Sequence, residues 1–251
     1  MRLIARVDVR NGMHIKTIQC EGVQNLRRVN ETLRIYSSGK DEHDEIILID
    51  VVASLYGYEN WLIRENNDHL YCPIPLAIGG GIDSVEKAIQ TISKGADKVV
   101  INTAAIGNPR LIERIANFCG KQAIVLQIDT KKIDGIYKCF TYGGREMTSV
   151  RLFDWVKDAS ELGVGEIHLT SIDTEGIDKG FPLDLAEICT RNTNLPLIVS
   201  GGIRSAEQIK EINDKFGIEA FSFSSLTNIL GLDLSEIRLK LKMLGLEVRC
   251  P

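Results

Sequence analysis

IPLAIGGGIDSVEKA (residues 74–88) returns 121 positions later as LPLIVSGGIRSAEQI (residues 195–209). Seven of the fifteen aligned positions are identical, and each copy has a Gly-Gly pair followed by Ser and Glu. Residues in other segments align at the same offset, which chance similarity would not produce. The repeat therefore indicates an internal duplication, and we expect two similar halves at about 1–121 and 122–251.

Length and composition favour one globular domain spanning residues 1–251. The chain is long enough for two small domains, but α/β barrels of this length are commonly single domains. Hydrophobic residues make up 44% of the chain, which is enough for a sizeable core. A net charge of −4 and a pI of about 5.7 argue against nucleic acid or an anionic membrane as a partner.

The cysteine pattern and the apolar runs indicate where in the cell the protein is expected. The six cysteines are scattered and form no CxxC pair, which favours free thiols in a reducing compartment over a metal site. The chain has neither an N-terminal apolar run behind a basic start nor a stretch of about 20 apolar residues. We therefore expect a cytoplasmic protein with no membrane segment, bound metal or cofactor.

Strand-like and helix-like segments alternate along the chain. The apolar, β-branched runs are residues 3–9, 45–52, 75–80, 98–102, 123–129, 166–171, 196–201 and 219–225. Segments with helical periodicity include residues 84–95, 108–118, 151–163 and 206–217. Eight strand–helix units predict an α/β fold of the (β/α)8 TIM-barrel type, built from two duplicated half-barrels. A doubly wound open sheet is the alternative, but it does not predict the repeat.

Two aspartates are the candidate catalytic residues. Asp8 ends the first predicted strand, and Asp129, 121 positions later, ends the fifth. Because barrel enzymes act at the C-terminal ends of their strands, these carboxylates should lie on opposite sides of one mouth. Two carboxylates in different surroundings can divide into an acid and a base. The alternative is that each aspartate only caps a loop.

The repeated glycine turns are candidate phosphate sites. Each turn joins a strand to a helix start, where backbone N–H groups face an anion favourably. Short polar segments end the fourth and eighth strands, beside these turns. The two sets point to a substrate with a phosphate at each end. They comprise Gly80, Gly81, Asn102 and Thr103 in the first half, and Gly201, Gly202, Ser224 and Ser225 in the second.

Several longer motifs resemble one family. The chain is similar to the cyclase subunit of imidazole glycerol phosphate synthase, the HisF family of histidine biosynthesis. The related isomerase of that pathway shares the barrel and the glycine turns, but the motifs after the fifth and sixth strands resemble the cyclase. The matching segments are VDVRNGMHIKT, DEIILIDVVAS, IPLAIGGGI, GADKVVINTAA, IDTKK, FTYGGREMT, GEIHLTSIDTEG and LPLIVSGGI.

The resemblance implies an activity and a partner. A glutaminase subunit would dock at the N-terminal face of the barrel, and its ammonia would pass through to the mouth. There ammonia would attack a bis-phosphorylated ribulosyl aminoimidazole carboxamide ribotide, giving imidazole glycerol phosphate and aminoimidazole carboxamide ribotide. Asp8 and Asp129 match the family's catalytic aspartates, and Lys16 matches its loop-one lysine. Thr170 and the two glycine-turn sets match substrate-binding positions.

Four charged residues match the family's ammonia gate. Arg2, Glu45, Lys98 and Glu166 stand at or just before the first, second, fourth and sixth strands, and the two glutamates are 121 positions apart. The resemblance implies an ion-pair ring around the bottom opening of the barrel. Solvated charges beside strands are the alternative for any one of them alone.

Four departures from the family pattern affect this interpretation. Loop one reads NLRRVNET at residues 25–32, without the usual glycine and proline. Arg6 must face the same side of its strand as Asp8, and a buried arginine needs a carboxylate or an anion. Asp8 is one candidate partner, and an ion pair would disfavour it as an acid. His168 is most simply a hydrogen-bonded core residue, although with Arg6 it would make the channel more polar or narrower. Glu175 stands where the family usually has Asp.

These departures keep a second function open. The chain could be a cyclase-like paralogue, similar to those paired with a glutaminase in surface-sugar amidination, that passes ammonia to another enzyme. The two phosphate sets favour the cyclase, whereas the altered loop one and Arg6 favour the paralogue. The pathway isomerase is a third possibility, disfavoured because it needs no ammonia gate. A binding protein unrelated to ammonia does not explain the two aspartates and both glycine turns.

Overall fold

A computed structural model describes residues 1–65, 72–177, 179–224 and 233–249. The strands in these ranges are β1 (Arg2–Arg10), β2 (Met13–Ile18), β3 (Glu21–Arg28), β4 (Glu45–Asp50), β5 (Leu76–Gly79), β6 (Lys98–Ile101), β7 (Ile124–Ile133), β8 (Ile136–Thr141), β9 (Glu146–Arg151), β10 (Glu166–Ser171), β11 (Leu197–Ser200) and β12 (Ala220–Phe223).

The helices in the same ranges lie between or after these strands. They are α1 (Val29–Tyr36), α2 (Ala53–Tyr56), α3 (Trp61–Arg64), α4 (Val85–Ser93), α5 (Thr103–Gly107), α6 (Arg110–Cys119), α7 (Leu152–Leu162), α8 (Leu183–Asn192), α9 (Ala206–Phe216) and α10 (Leu234–Met243). No helix in the described ranges has the length and apolar character needed to cross a membrane.

Eight of the strands close into the predicted barrel. They pair in parallel in the order β1, β4, β5, β6, β7, β10, β11, β12, and β12 pairs back to β1. Each lies within a few residues of its predicted range. The (β/α)8 fold is therefore confirmed, and the open doubly wound sheet is wrong because the sheet has no free edge at β1.

Two antiparallel hairpins on the barrel mouth were not expected from the sequence. β2 and β3 follow β1, and β8 and β9 follow β7. They occupy equivalent places in the two halves, so the duplication extends to these hairpins. Their residues are more polar than the barrel strands, which is why the apolar pattern did not mark them.

The serines of the repeat start two helices. The Ser84 hydroxyl accepts a hydrogen bond from the Lys87 N–H at 3.2 Å, and the Ser205 hydroxyl accepts one from the Gln208 N–H, also at 3.2 Å. Each serine is thus an N-cap that satisfies an otherwise unpaired N–H group in the first helical turn. The helices α4 and α9 therefore begin at equivalent points, just after the two glycine turns.

Along each barrel strand, side chains point alternately into an outer core against the helices and into an inner core inside the barrel. On β10, Ile167 and Leu169 pack outward against the helices. Glu166, His168 and Thr170 therefore face inward, because side chains alternate along a strand. Isoleucines, valines and alanines of the other strands fill most of the inner core. Polar side chains occur at its floor, its middle and its mouth.

Candidate active site

Asp8 lies at the mouth, buried at the C-terminal end of β1. Its Oδ1 accepts a hydrogen bond from Arg6 Nε at 3.0 Å, and its Oδ2 accepts one from Thr17 Oγ1 at 3.3 Å. Both partners are themselves buried. The carboxyl group therefore has a cation and a hydroxyl donor in direct contact.

Asp129 lies at the equivalent point of β7 but has neutral donors. Gln127 Nε2 is 2.9 Å from Oδ1 and 3.0 Å from Oδ2, and Asn102 Nδ2 is 3.0 Å from Oδ2. Burial raises the pKa of Asp129, while the Arg6 charge and the two amides partly oppose that rise. The balance of these effects leaves the pKa of Asp129 above that of an ordinary aspartate.

Arg6 faces the barrel interior, as the alternation rule predicts, and its carboxylate partner is Asp8. Its Nη1 also donates to Thr170 Oγ1 at 3.1 Å, so the guanidinium reaches from β1 to β10. Burial would lower the pKa of Arg6, but Asp8 and the other nearby carboxylates raise it overall. The arginine is therefore a permanent cation below the mouth.

The first-half residues proposed to bind phosphate surround one cleft. The glycine turn, Asn102 and Thr103 come together there. Gly80 has φ of +99°, and a Cβ atom on it would lie 2.3 Å from the Asp50 carbonyl oxygen. Only glycine fits this turn without moving the neighbouring strand. Other lining residues are Ser54, Gln127, Asp129 and Gly143.

A second cleft lies at the equivalent place in the other half. Gly201, Gly202 and Ser224 line it. Gly201 has φ of +95°, and an added Cβ atom would lie 2.5 Å from the Ser171 carbonyl oxygen, which repeats the crowding at Gly80. Further lining residues are Arg6, Glu175, Gly176, Ser200 and Ser222. Ser225, predicted to bind phosphate here, lies outside the described residues.

The β2–β3 hairpin lies across the mouth and is attached to Glu175. Glu175 Oε1 accepts from Thr17 Oγ1 at 3.2 Å, and Oε2 accepts from the Cys20 N–H at 2.9 Å. The Gln19 N–H donates to the Glu175 carbonyl at 3.0 Å, and its side-chain amide donates to the Asp173 carbonyl at 3.0 Å. This hairpin, called the lid below, is therefore attached to the loop after β10.

Lys16 lies half-buried on β2, next to Thr17. Because side chains alternate along a strand and Thr17 reaches Asp8, Lys16 belongs to the opposite face of the hairpin. The hydroxyl of Thr17, which was not among the predicted site residues, contacts a candidate catalytic carboxylate from the hairpin.

The four charged residues at the strand starts form a closed ring at the barrel floor. Arg2 pairs with Glu45 at 2.8 Å and with Glu166. Lys98 pairs with Glu45 at 2.8 Å and with Glu166 at 3.2 Å. Each cation thus lies between both glutamates, and the two glutamates are almost fully buried.

His168 differs from its expected role as a hydrogen-bonded core residue. It is fully buried, but neither ring nitrogen has a hydrogen-bond partner among the described residues. Burial and the nearby Arg6 charge lower the pKa of His168 to about 3, so the ring is neutral. Within the part of the chain that the structure describes, its polar atoms are therefore unsatisfied inside the barrel.

Comparisons with known proteins agree with this architecture. A family model described as "Histidine biosynthesis protein" matches residues 2–225. A protein of Legionella pneumophila named "Imidazole glycerol phosphate synthase subunit HisF" is 41% identical over 212 residues, covering 83% of this chain and 98% of that protein. The chain belongs to the HisF family. HisF proteins from Thermotoga sp. (strain RQ2) and Chlorobium luteolum are 37% and 36% identical, and each alignment covers 99% of this chain.

Three contacts of this HisF site were not predicted from the sequence. Gln127 contacts Asp129, Ser54 Oγ accepts from the Gly81 N–H at 3.0 Å, and Glu175 holds the lid. Gln127 did carry a signal, because it aligns with Arg6 at the 121-residue offset. The contacts of Ser54 and Glu175 depend on how loops meet, which a single sequence does not reveal.

Proposed function

We propose that this HisF protein is the ammonia-dependent cyclase of histidine biosynthesis. It would convert bis-phosphorylated ribulosyl aminoimidazole carboxamide ribotide to imidazole glycerol phosphate and aminoimidazole carboxamide ribotide. The observation that supports this most is the pair of buried carboxylates at one mouth, with a glycine-turn cleft in each half. A substrate with a phosphate at each end would span the clefts, and its reacting centre would lie near both aspartates.

We assign Asp129 as the general acid and Asp8 as the general base. The pKa of Asp129 is raised by burial, which favours the protonated form that an acid needs. Asp8 accepts hydrogen bonds from Arg6 and Thr17, so its oxygens already act as acceptors, as a base requires. Two carboxyl groups at equivalent positions are thus given different surroundings, as acid–base pairs require.

The ring at the floor supports a role in ammonia entry. We propose that a glutaminase subunit docks on the N-terminal face, where Arg2, Glu45, Lys98 and Glu166 surround the opening. Because every charge in the ring has two partners, opening it requires several ion pairs to separate together. Docking could supply the contacts that offset this cost. The relatives are named as synthase subunits, which is consistent with a second subunit.

The deciding experiment is turnover of the bis-phosphate substrate by the purified chain with ammonium salt at alkaline pH. Asp8→Asn and Asp129→Asn should each reduce kcat by at least about 100-fold, the usual contribution of a positioned acid or base. Asp158→Asn, at an exposed site on α7, is the matched control and should retain wild-type activity. Equal activity in all four proteins would rule out this catalytic pair.

Arg6 favours a second candidate, the paralogue that passes ammonia to another enzyme. Its guanidinium crosses the barrel interior and binds Thr170, so the upper channel is narrower and more polar than an open apolar path. A folded wild-type protein that does not turn over the bis-phosphate, but stimulates glutamine hydrolysis by a bound glutaminase, would support this candidate over the cyclase.

A further inference from the structure

The two antiparallel hairpins touch each other above the mouth. The turn of the β8–β9 hairpin contains Gly144, and the far turn of the lid contains Cys20. Gly144 has φ of +82°, and a Cβ atom added to it would lie 2.8 Å from the Cys20 Cβ atom and 3.0 Å from its Sγ atom. The Gly144 backbone therefore lies directly against the Cys20 side chain, and a larger residue at 144 would displace the lid.

An apolar cluster surrounds this contact. Cys20 packs with Phe140 of β8 and with Ile172 of the loop after β10, and all three side chains are buried. The Ile172 Cδ1 atom would lie 3.3 Å from the same added Cβ atom, so Ile172 is on the same side of Gly144 as Cys20. These four residues are called the clasp below. They form a cluster separate from the other cores, so its burial depends on the lid being in place.

The clasp lies between the two glycine-turn clefts. On one side, the Tyr142 N–H donates to Thr103 Oγ1 at 3.0 Å, and Gly143 lines the first cleft. On the other side, Glu175 accepts from the Cys20 N–H and lines the second cleft. The residues that precede Gly144 are thus attached to one cleft, while Cys20 is attached to the other.

We propose that the β8–β9 turn is a second anchor of the lid, and that the clasp makes lid closure depend on both glycine-turn clefts. Glu175 alone would attach the lid to the second cleft. The Cys20 side chain against Gly144 attaches it to the first cleft as well. Release of the lid would expose the apolar surfaces of Phe140 and Ile172 to water, which is unfavourable in proportion to their area. The mouth would therefore open only when the two hairpins separate.

The test is the rate at which iodoacetamide alkylates Cys20 in the wild-type chain and in two glycine variants. A thiol needs access and reacts as its thiolate, and burial raises the pKa of Cys20, so the closed lid protects it. Gly144→Ala should speed Cys20 alkylation by roughly fivefold or more, because overpacking shifts the lid towards its open state. Gly143→Ala is the matched control. It also has positive φ (+66°), but the nearest atom to its added Cβ is the flexible end of the Arg145 side chain, at 3.1 Å.

Peptide mass spectrometry follows each cysteine separately. Cys189 is fully buried on α8, so its alkylation reports global unfolding and should stay low in all three proteins. Equal alkylation of Cys20 in wild type and Gly144→Ala would overturn the clasp. Equal acceleration by Gly143→Ala would also overturn it, since strain in the turn would then explain the effect without any contact with the lid.

A shortened side chain gives a milder test in case Gly144→Ala also exposes Cys189. Ile172→Val removes the Cδ1 atom from the clasp and should speed Cys20 alkylation by roughly two- to tenfold. Ile167→Val removes the same atom from a fully buried residue of the outer core and is its control. Unchanged alkylation in Ile172→Val would contradict the clasp, whatever Gly144→Ala does.

The dependence on the first cleft has its own variant. Thr103→Val keeps the shape of the side chain but removes the oxygen that accepts from the Tyr142 N–H. The β8–β9 turn should then loosen, and Cys20 alkylation should rise by roughly two- to tenfold. Thr148→Val removes a hydroxyl from β9 away from the turn and is the control. Alkylation that rises equally in both variants, or in neither, would overturn the dependence on the first cleft.

The measurement is independent of catalysis. Alkylation requires neither the bis-phosphate substrate nor a glutaminase, so the clasp can be confirmed or overturned in a chain without turnover. A chain with normal turnover and an unprotected Cys20 would overturn the clasp and leave the cyclase assignment standing.

Discussion

Arg6 and Gln127 are the residues whose difference matters most in the site. They occupy equivalent positions in the two halves, each two residues before an aspartate. Alternation along the strand predicted that Arg6 faces inward, with Asp8 as one candidate partner, and the structure shows this ion pair. The same rule applies to Gln127, but whether its amide turns back to Asp129 depends on packing across the barrel. The sequence therefore indicated the contact of Arg6 but not the contact of Gln127.

Replacing Gln127 should alter the acid function of Asp129. Gln127→Met removes two N–H contacts that lower the pKa of Asp129, so that pKa should rise further. Because a general acid acts while protonated, the alkaline limb of the pH–kcat profile should move to higher pH. The measurement is kcat against pH with ammonium salt. Gln90→Met on the exposed face of α4 is the control, and coincident profiles would contradict the assignment.

At the scale of elements, the β2–β3 hairpin shows what local sequence can and cannot predict. Asn11 and Gly12, both with positive φ, form the turn before β2, and Asn-Gly is a strong hairpin signal. The turn at its far end uses Gln19 and Cys20, which have φ of +53° and +61° and no glycine. Such a turn needs outside support, and Glu175 provides it. The lid is ordered by these distant contacts, which its own residues do not reveal.

Removing the Glu175 carboxylate should loosen the lid. Glu175→Ala deletes the acceptors for Thr17 and Cys20, and each lost buried hydrogen bond costs about 1–3 kcal/mol. Amide exchange of Cys20 should therefore accelerate by about tenfold or more, since 1.4 kcal/mol corresponds to a factor of ten. Hydrogen exchange with mass spectrometry measures this. Glu187→Ala on α8 removes an exposed carboxylate and should not change Cys20 exchange; an equal rate in Glu175→Ala would show that Glu175 does not hold the lid.

At the scale of the molecule, the eight strand–helix units and the repeat together predicted the barrel. Hydrophobic periodicity, the alternation of strand-like and helix-like segments, and glycine turns are local signals. Two copies of them restrict the topology to a symmetric closed sheet. Contacts across the barrel were less predictable. The ion-pair ring was expected from four charges placed at strand starts together with the family resemblance. That His168 has no partner among the described residues was not expected, because a histidine on a strand usually finds one.

The buried histidines should make the protein sensitive to acid. The pKa of His168 is lowered to about 3 and those of His14 and His43 to about 4, chiefly by burial. Between about pH 6.5 and these values the unfolded chain binds protons that the folded chain does not, so stability falls as pH falls. His168→Gln should reduce this slope by up to about 1.4 kcal/mol per pH unit. Urea unfolding at several pH values measures it, and parallel curves for wild type and variant would contradict it.

The duplication also affects the orientation in which a ligand can bind at the mouth. The mouth has approximate twofold symmetry, because equivalent glycine turns face each other across it. A ligand with an anionic group at each end could enter such a site in either of two orientations. Arg6 and Gln127 break the symmetry, since one side carries a fixed charge and the other an amide. This difference between the two halves would give such a ligand one preferred orientation.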